Sequence, residues 1–138
     1  MITILLVEDD AMNREMIARY LAKDGYHVIS AGDGANAVLL ARKEHPNLIL
    51  MDMGLPILNG WQATHRLKTI AETRNIPIIA LTAFAMAEDR IKCLAVGCDA
   101  FESKPVNFDR LLATMRQLLA TDKVYNMPTS RQLQSTPV

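Results

Sequence analysis

Asp52 stands directly after four consecutive apolar residues, 48–51. Such a run has no polar face, so a strand here must be covered on both sides, as the strands of parallel sheets are. Residues 53–56 and 59–60 (Met-Gly-Leu-Pro and Asn-Gly) have loop composition, which places Asp52 where the strand leaves the core. Open α/β sheets carry their chemistry at this end of the strands. We therefore expect Asp52 to be reactive, as a nucleophile that accepts a phosphoryl group.

Polar side chains also follow other predicted strands. Glu8 and Asp9 come after the first strand, Thr82 after the fourth and Lys104 after the fifth. A single carboxylate at such a position is usually a helix cap, but several acids, a hydroxyl and a lysine on one edge are not explained by capping. Lys104 can pair with a phosphoryl oxygen, and Thr82 can donate a hydrogen bond to another.

The carboxylates of Glu8, Asp9 and Asp52 would repel one another at close range. A hard divalent cation relieves this repulsion, and Mg²⁺ binds through one or two carboxylates together with a phosphate. We expect these three residues to bind Mg²⁺, for which Mn²⁺ can substitute, with the backbone carbonyl of Gly54 completing the ligand set.

Five strand–helix units recur at roughly even spacing. The predicted strands are residues 4–7, 28–29, 47–51, 76–81 and 99–102. The predicted helices are residues 11–23, a segment that ends before Pro46, a segment from Ala63 to Ile70, residues 86–96 and residues 108–119. In the fourth helix we expect Ile91, Leu94 and Ala95 to face inward. This order predicts an α/β fold with a doubly wound five-stranded parallel sheet, right-handed crossovers and helices on both faces.

Composition indicates one domain, residues 1–120, and a flexible tail, residues 121–138, in which the apolar pattern ends. The 15 basic and 15 acidic residues cancel, so no global charge favours nucleic acid or a membrane surface as a partner. No apolar run approaches the ~20 residues that span a bilayer, and no signal peptide is recognisable, which predicts a cytoplasmic protein. Cys93 and Cys98 are too few for a zinc site and are expected to be reduced packing residues.

Four motifs, taken together, resemble the response-regulator receiver domain (CheY-like) of two-component signalling, over about residues 2–120. They are Val7-Glu8-Asp9-Asp10, Met51-Asp52-Met53-Gly54-Leu55-Pro56 with Asn59-Gly60, Leu81-Thr82-Ala83, and Ser103-Lys104-Pro105. The resemblance implies the flavodoxin-like strand order 2-1-3-4-5. It also implies that Asp52 accepts phosphate from a sensor histidine kinase or a histidine phosphotransfer protein, while Glu8 and Asp9 hold Mg²⁺.

The resemblance further implies a switch and its partners. Thr82 moves toward the phosphoryl group and Phe101 turns inward, which alters the face formed by the fourth helix, the fifth strand and the fifth helix. That face would bind a downstream protein, or would join two copies in a weak homodimer of an otherwise monomeric chain. The Lys104–Pro105 bond is expected to be cis. Because Phe101 lacks a hydroxyl, its switch would be steric.

Two positions depart from the pattern that speeds loss of the phosphoryl group. Gly54 lies two residues after Asp52, where the family often has a polar side chain, and Phe84 lies two residues after Thr82. Neither side chain can hold the hydrolytic water. We therefore expect an aspartyl phosphate that lasts minutes to hours rather than seconds.

The main interpretation is a stand-alone receiver, not an enzyme beyond its own phosphorylation and dephosphorylation, because no residues remain for an output domain. Its effect would then be delivered by protein–protein contact or by passing the phosphate onward in a relay. A phosphatase of the haloacid dehalogenase type is disfavoured, since Gly54 replaces its second aspartate. A flavodoxin-like electron carrier needs a Ser/Thr/Gly-rich phosphate loop, whereas Glu8-Asp9-Asp10 would repel phosphate. A receiver that binds partners without phosphorylation is disfavoured because every expected site residue is present.

Overall fold

The computed structural model describes residues 1–83 and 87–126. Strands and helices alternate along this part of the chain. The strands are β1 (Thr3–Val7), β2 (His27–Ala31), β3 (Leu48–Asp52), β4 (Ile78–Thr82) and β5 (Ala100–Ser103). The helices are α1 (Ala11–Lys23), α2 (Gly34–Glu44), α3 (Gly60–Thr69), α4 (Ala87–Val96) and α5 (Phe108–Asn126).

The five strands form one parallel sheet in the order β2-β1-β3-β4-β5, which confirms the predicted topology. The register places Asp52 beside Leu81 and Thr82 beside Ser103. The central strands consequently end at the same level. The residues that follow them share one edge of the sheet, where open α/β folds place their ligands.

Side chains of the central strands alternate between two apolar layers, which explains why their sequences are apolar throughout. One layer lies under α2, α3 and α4, and the other lies under α1 and α5. The first contains Leu5, Val7, Ile49, Met51, Ile78 and Ala80, and the second contains Ile4, Leu6, Leu48, Leu50, Ile79 and Leu81. None of these strand side chains is exposed, so Asp52 extends from a fully covered sheet.

The prediction that Ile91, Leu94 and Ala95 of α4 face inward is wrong. Ile91 and Leu94 are 67% and 68% exposed, and Ala95 is exposed as well. The residues of α4 that pack into the core are Cys93, which is buried, and Val96, which is partly buried. Both sets of residues have helical spacing, so periodicity alone could not choose between the two faces.

Two predicted boundaries also differ from the structure. β2 extends over His27–Ala31 because every residue of it pairs with β1, although its sequence is only weakly apolar. α5 continues to Asn126, past the end of the predicted helix at residue 119, since the apolar pattern marks the packed part of a helix and not its end. The division into domain and tail stays a prediction, and residues 127–138 lie outside the described part of the chain. Within that part, each helix is too short or too polar to cross a bilayer.

Gly97 ends α4 in a left-handed conformation, with φ of 101°. The amide of Cys98 donates to the carbonyl of Cys93 at 2.9 Å, and that of Gly97 donates to the carbonyl of Leu94 at 3.2 Å, which is a Schellman motif. Both cysteines are buried and free of disulfides, in agreement with a packing role. Burial raises the pKa of the Cys98 thiol to about 12, so the thiol stays protonated at neutral pH.

Two fully buried threonines differ in hydrogen bonding, and this difference predicts opposite effects of the same substitution. Thr73 Oγ1 donates to the carbonyl of Leu67 at 2.7 Å. Thr64 Oγ1 has no hydrogen bond of ordinary geometry within the described residues, and it lies against the Cys98 thiol, which bonds only weakly. Because an unsatisfied buried hydroxyl costs free energy, Thr64→Val should leave the free energy of unfolding unchanged or raise it by about 1 kcal/mol.

Thr73→Val is the matched control, and it should lower the free energy of unfolding by about 1 kcal/mol because a carbonyl loses its donor. Urea unfolding of both variants measures the difference. Equal destabilisation by the two substitutions would contradict the assignment of Thr64 as unsatisfied.

Candidate functional site

The turn between β1 and α1 presents the first two acids of the site. The amide of Glu8 donates to the carbonyl of Ala31 at 3.1 Å, which keeps this residue in line with β2. Asp10 then caps α1, since its side chain accepts hydrogen bonds from two amides of the first turn. The Glu8 side chain is buried and Asp9 is exposed. One of the three consecutive acids is thus a helix cap, and two are available to a ligand.

Asp52 is the last residue of β3 and is 4% exposed. Its Oδ1 accepts a hydrogen bond from the Gly54 amide at 3.0 Å. The chain then returns against the strand end at Gly60, where an added Cβ would collide with the backbone of Asp52 and Met53. Glycine at this position allows α3 to begin directly beside the end of β3.

Lys104 joins the two buried acids. Its Nζ lies 3.2 Å from Oε1 of Glu8 and 3.2 Å from Oδ1 of Asp52. Its amide donates to the carbonyl of Thr82 at 2.8 Å, which ties the end of β5 to the end of β4. The Lys104–Pro105 peptide bond is cis, as the resemblance implied.

The charges of the site shift two pKa values in the same direction for different reasons. Burial raises the pKa of the Glu8 carboxyl above its usual 4.5, and the nearby charge of Asp52 raises it further. Burial by itself would lower the pKa of Lys104, but the charges of Asp52 and Glu8 outweigh this effect and raise it above 10.5. The lysine therefore remains a cation at neutral pH, while Glu8 protonates more readily than an ordinary carboxyl group.

The three predicted metal ligands come together at one point. Glu8, Asp9 and Asp52 each offer a carboxylate oxygen, and these oxygens all lie within 4.8 Å of one another. They line a cleft of about 520 Å³ that also contains Gly54, whose carbonyl remains a predicted ligand. Hard oxygen donors with water-accessible space suit Mg²⁺, which retains part of its hydration shell. The residues present therefore fit a magnesium ion.

Thr82 and Phe101 occupy the positions expected of a switch pair. Thr82 is buried and lines the cleft with the acids. Phe101 is partly buried in β5 and packs against the apolar layer under α4, with the Arg90 guanidinium 5.7 Å from its ring centre. Their roles stay a prediction. Phe84, which together with Gly54 predicts slow hydrolysis of the aspartyl phosphate, lies outside the described residues.

The cleft also contains residues that sequence reasoning did not assign to it. Trp61 at the start of α3 and Asp89 in α4 both line it, and the Lys92 ammonium lies 4.7 Å from the Trp61 ring centre. Arg14 of α1 bonds to the backbone of the turn that carries Glu8 and Asp9. Each of these residues reaches the site from a helix, so no strand-end motif could reveal them.

A sheet of this order is the flavodoxin-like class of doubly wound fold, and here acids, a threonine and a lysine meet at its carboxyl edge. The model of the response regulator receiver domain matches residues 4–116 of the chain. The polar-differentiation response regulator DivK of Brucella ovis is 39% identical over 117 residues, which cover 85% of this chain and 95% of DivK. The chain therefore belongs to the response regulator receiver family.

Solved structures agree with this assignment. The chemotaxis protein CheY4 of Vibrio cholerae is 29% identical, with a TM-score of 0.81 over 86% of this chain and 98% of CheY4. The receiver domain of a sensor histidine kinase from Pseudomonas aeruginosa is 37% identical, with a TM-score of 0.80 over 86% of this chain and 97% of that domain. The latter structure has a magnesium ion coordinated in its active-site cleft.

The raised pKa of Glu8 predicts the pH dependence of metal binding. A carboxyl group must lose its proton to bind Mg²⁺, so the affinity should fall as the pH drops through the raised pKa of Glu8, above the usual value of 4.5. Trp61 is the single tryptophan of the chain and lines the cleft, so its fluorescence can follow a Mg²⁺ titration at each pH.

Glu8→Gln is the control, because it removes this titration while keeping a similar shape. This variant should bind Mg²⁺ more weakly. Its Mg²⁺ affinity should also no longer change with pH above the range in which ordinary carboxyl groups titrate. If the Mg²⁺ affinity of the unmodified chain stays constant as the pH falls to the range in which ordinary carboxyl groups titrate, the assignment of Glu8 as a ligand is contradicted.

Proposed function

We propose that the chain is a phosphorylation-controlled switch in which Asp52 accepts a phosphoryl group. The observation that carries this proposal is the position of Asp52, buried at the end of β3 between the Lys104 ammonium and the acids of the metal site. A carboxylate in such a place is held in one direction, and the Lys104 ammonium beside it can pair with an incoming phosphate.

The phosphoryl transfer forms one bond and breaks one. Two hydrogen-bond donors, the Gly54 amide and Lys104, reach Oδ1 of Asp52, so we assign the attack on phosphorus to Oδ2. With phosphohistidine as the donor, the P–N bond breaks and its electron pair returns to the imidazole nitrogen. Because Asp52 attacks as a carboxylate, no base is required to remove a proton.

Glu8, Asp9 and Asp52 would hold the magnesium ion, with the carbonyl of Gly54 as a further ligand. When bound, the ion supplies positive charge that offsets the charge of the phosphoryl oxygens. Lys104 pairs with one phosphoryl oxygen, and the hydroxyl of Thr82 donates to another. Mn²⁺, which also prefers oxygen ligands, can take the same place.

The output of the switch is a change in the face formed by α4, β5 and α5. Phosphorylation adds about two negative charges at the cleft, and Thr82 moves toward them while Phe101 turns inward. The adjoining face of α4 already exposes Ile91 and Leu94, so a protein that binds here can bury apolar area. The downstream partner is therefore a protein, and a weak homodimer through the same face is the alternative.

The phosphoryl donor is a sensor histidine kinase or a histidine phosphotransfer protein, and we place its docking site on α1. Met12 is 84% exposed and Met16 is 47% exposed, which is unusual for side chains of this size. Met16 also lines an apolar groove of about 560 Å³ with Pro105 and Val106, beside Lys104. A helix of the donor in this groove would bring its phosphohistidine to the edge that carries Asp52.

Incubation with Mg²⁺ and acetyl phosphate tests the proposal directly. Intact-protein mass spectrometry should show one added phosphoryl group, as the P–O bond of the donor breaks and acetate leaves. Asp52→Asn should abolish the addition, because an amide is a poor nucleophile, and so should removal of Mg²⁺ with a chelator. Phosphorylation that persists in Asp52→Asn would place the acceptor elsewhere.

The lifetime of the phosphorylated protein should be minutes to hours, because Gly54 has no side chain that could hold a hydrolytic water. Gly54→Asn should shorten it several-fold, as its amide would lie beside the acyl phosphate. The site has room for the change, since an added Cβ would lie 3.7 Å from Oδ1 of Asp52, an ordinary contact. The decay of the added mass over time measures the lifetime.

Gly54→Ala is the matched control, because it adds the same Cβ without a polar group and should leave the lifetime unchanged. A half-life of a few seconds in the unmodified chain would eliminate the hypothesis of slow hydrolysis.

A further inference from the structure

Arg14, in the first half of α1, bonds to the peptide backbone at the metal site. Its Nη1 donates to the carbonyl of Glu8 at 2.8 Å and lies 3.5 Å from the carbonyl of Asp9. The side chain is half-buried. These two carbonyls belong to the residues that supply two of the three metal-binding carboxylates, so the guanidinium holds the segment behind the ligands and not the ligands themselves.

This use of an arginine differs from that of Arg19 and Arg110. Arg19 pairs with Glu15 and Arg110 pairs with Glu102, which are ordinary ion pairs. Among the described residues, the Arg14 side chain donates its hydrogen bonds to carbonyl oxygens, and it forms no ion pair with a carboxylate. A charged donor on a half-buried carbonyl is a strong hydrogen bond, so it restricts the backbone more than a neutral donor would.

The turn needs such a restraint because its own charges oppose its geometry. Glu8, Asp9 and Asp52 hold carboxylate oxygens within 4.8 Å of one another, and this repulsion pushes the turn away from the end of β3. The amide of Glu8 is held by β2, but Asp9 is exposed and follows it without a strand partner. Arg14 bonds to the carbonyl of the peptide unit that joins these two acids and to the carbonyl of the next peptide unit.

We infer that Arg14 is a positioning residue for magnesium binding, which keeps the carboxylates of Glu8 and Asp9 together through the backbone. This inference rests on the proposed metal-dependent function. It makes a prediction whose sign is opposite to that of simple electrostatics. Removing a positive charge near a cation site should strengthen Mg²⁺ binding by Coulomb's law, whereas loss of positioning should weaken it.

The experiment compares Mg²⁺ affinity, measured by Trp61 fluorescence and by calorimetry, in the unmodified chain and in Arg14→Met. Methionine keeps an unbranched stem of similar packing and removes the donors. We expect the dissociation constant to rise about tenfold, the size of effect seen when groups behind metal ligands are removed. Thermal unfolding without Mg²⁺ shows whether Arg14→Met remains folded.

Arg19→Met is the matched control, because it removes the same charge from the same helix at an exposed ion pair. Its Mg²⁺ affinity should stay within about twofold of the unmodified chain, as expected for a screened surface charge. Equal or tighter binding by Arg14→Met would overturn the inference, as would equal weakening by both variants.

Arg14→Lys decides the matter if Arg14→Met fails to fold. Lysine keeps the charge but cannot present the planar set of donors, so a positioning role predicts that Arg14→Lys binds Mg²⁺ more weakly than the unmodified chain. An affinity equal to that of the unmodified chain would leave only a charge effect and overturn the inference. Phosphorylation of the unmodified chain by acetyl phosphate tests the proposed function separately, so failure of one is distinguishable from failure of the other.

Discussion

The constraint on which the site depends is the mutual repulsion of three carboxylates held within 4.8 Å of one another. Two of them, Glu8 and Asp52, are buried, where water cannot screen their charges. The fold tolerates this because Asp52 ends a strand whose neighbours on both sides are in register, and Lys104 lies 3.2 Å from both buried acids. Parallel strands that end at the same level thus concentrate charge at one edge, and Lys104, directly after the last strand, supplies the cation that offsets it.

The same arrangement explains why Lys104 would suit the phosphoryl acceptor that we propose. Its ammonium contacts Glu8 and Asp52 together, so it neutralises part of the acidic charge whether or not a divalent ion is bound. A lysine is a compact point charge on a flexible stem, so it can shift from carboxylate oxygens to phosphoryl oxygens without rearranging the sheet. The hydrogen bond from its amide to the Thr82 carbonyl holds only its backbone. The ammonium group of Lys104 can therefore change partners while its backbone stays in place.

The strand order and the residues at the edge could be predicted because both depend on local signals. Continuous apolar runs mark covered parallel strands, and polar residues directly after them must meet at one edge. Arg14 could not be found in this way, since its partners are carbonyl groups, which every residue has. The orientation of α4 was also beyond the sequence, because Ile91 with Leu94 and Cys93 with Val96 have the same spacing. Only packing against the sheet selects between them.

The orientation of α4 bears on how the proposed switch would act. The pair that packs inward, Cys93 and Val96, is small, so α4 has a modest apolar anchor on the core, while the larger pair, Ile91 and Leu94, remains outside. Burying large apolar side chains stabilises a state in proportion to the area removed from water. A partner that covers Ile91 and Leu94 would therefore stabilise its preferred position of α4 by a free energy comparable to that which Cys93 and Val96 contribute by packing on the core. A helix balanced in this way can be moved by the few kilocalories per mole that a new charge and its hydrogen bonds supply.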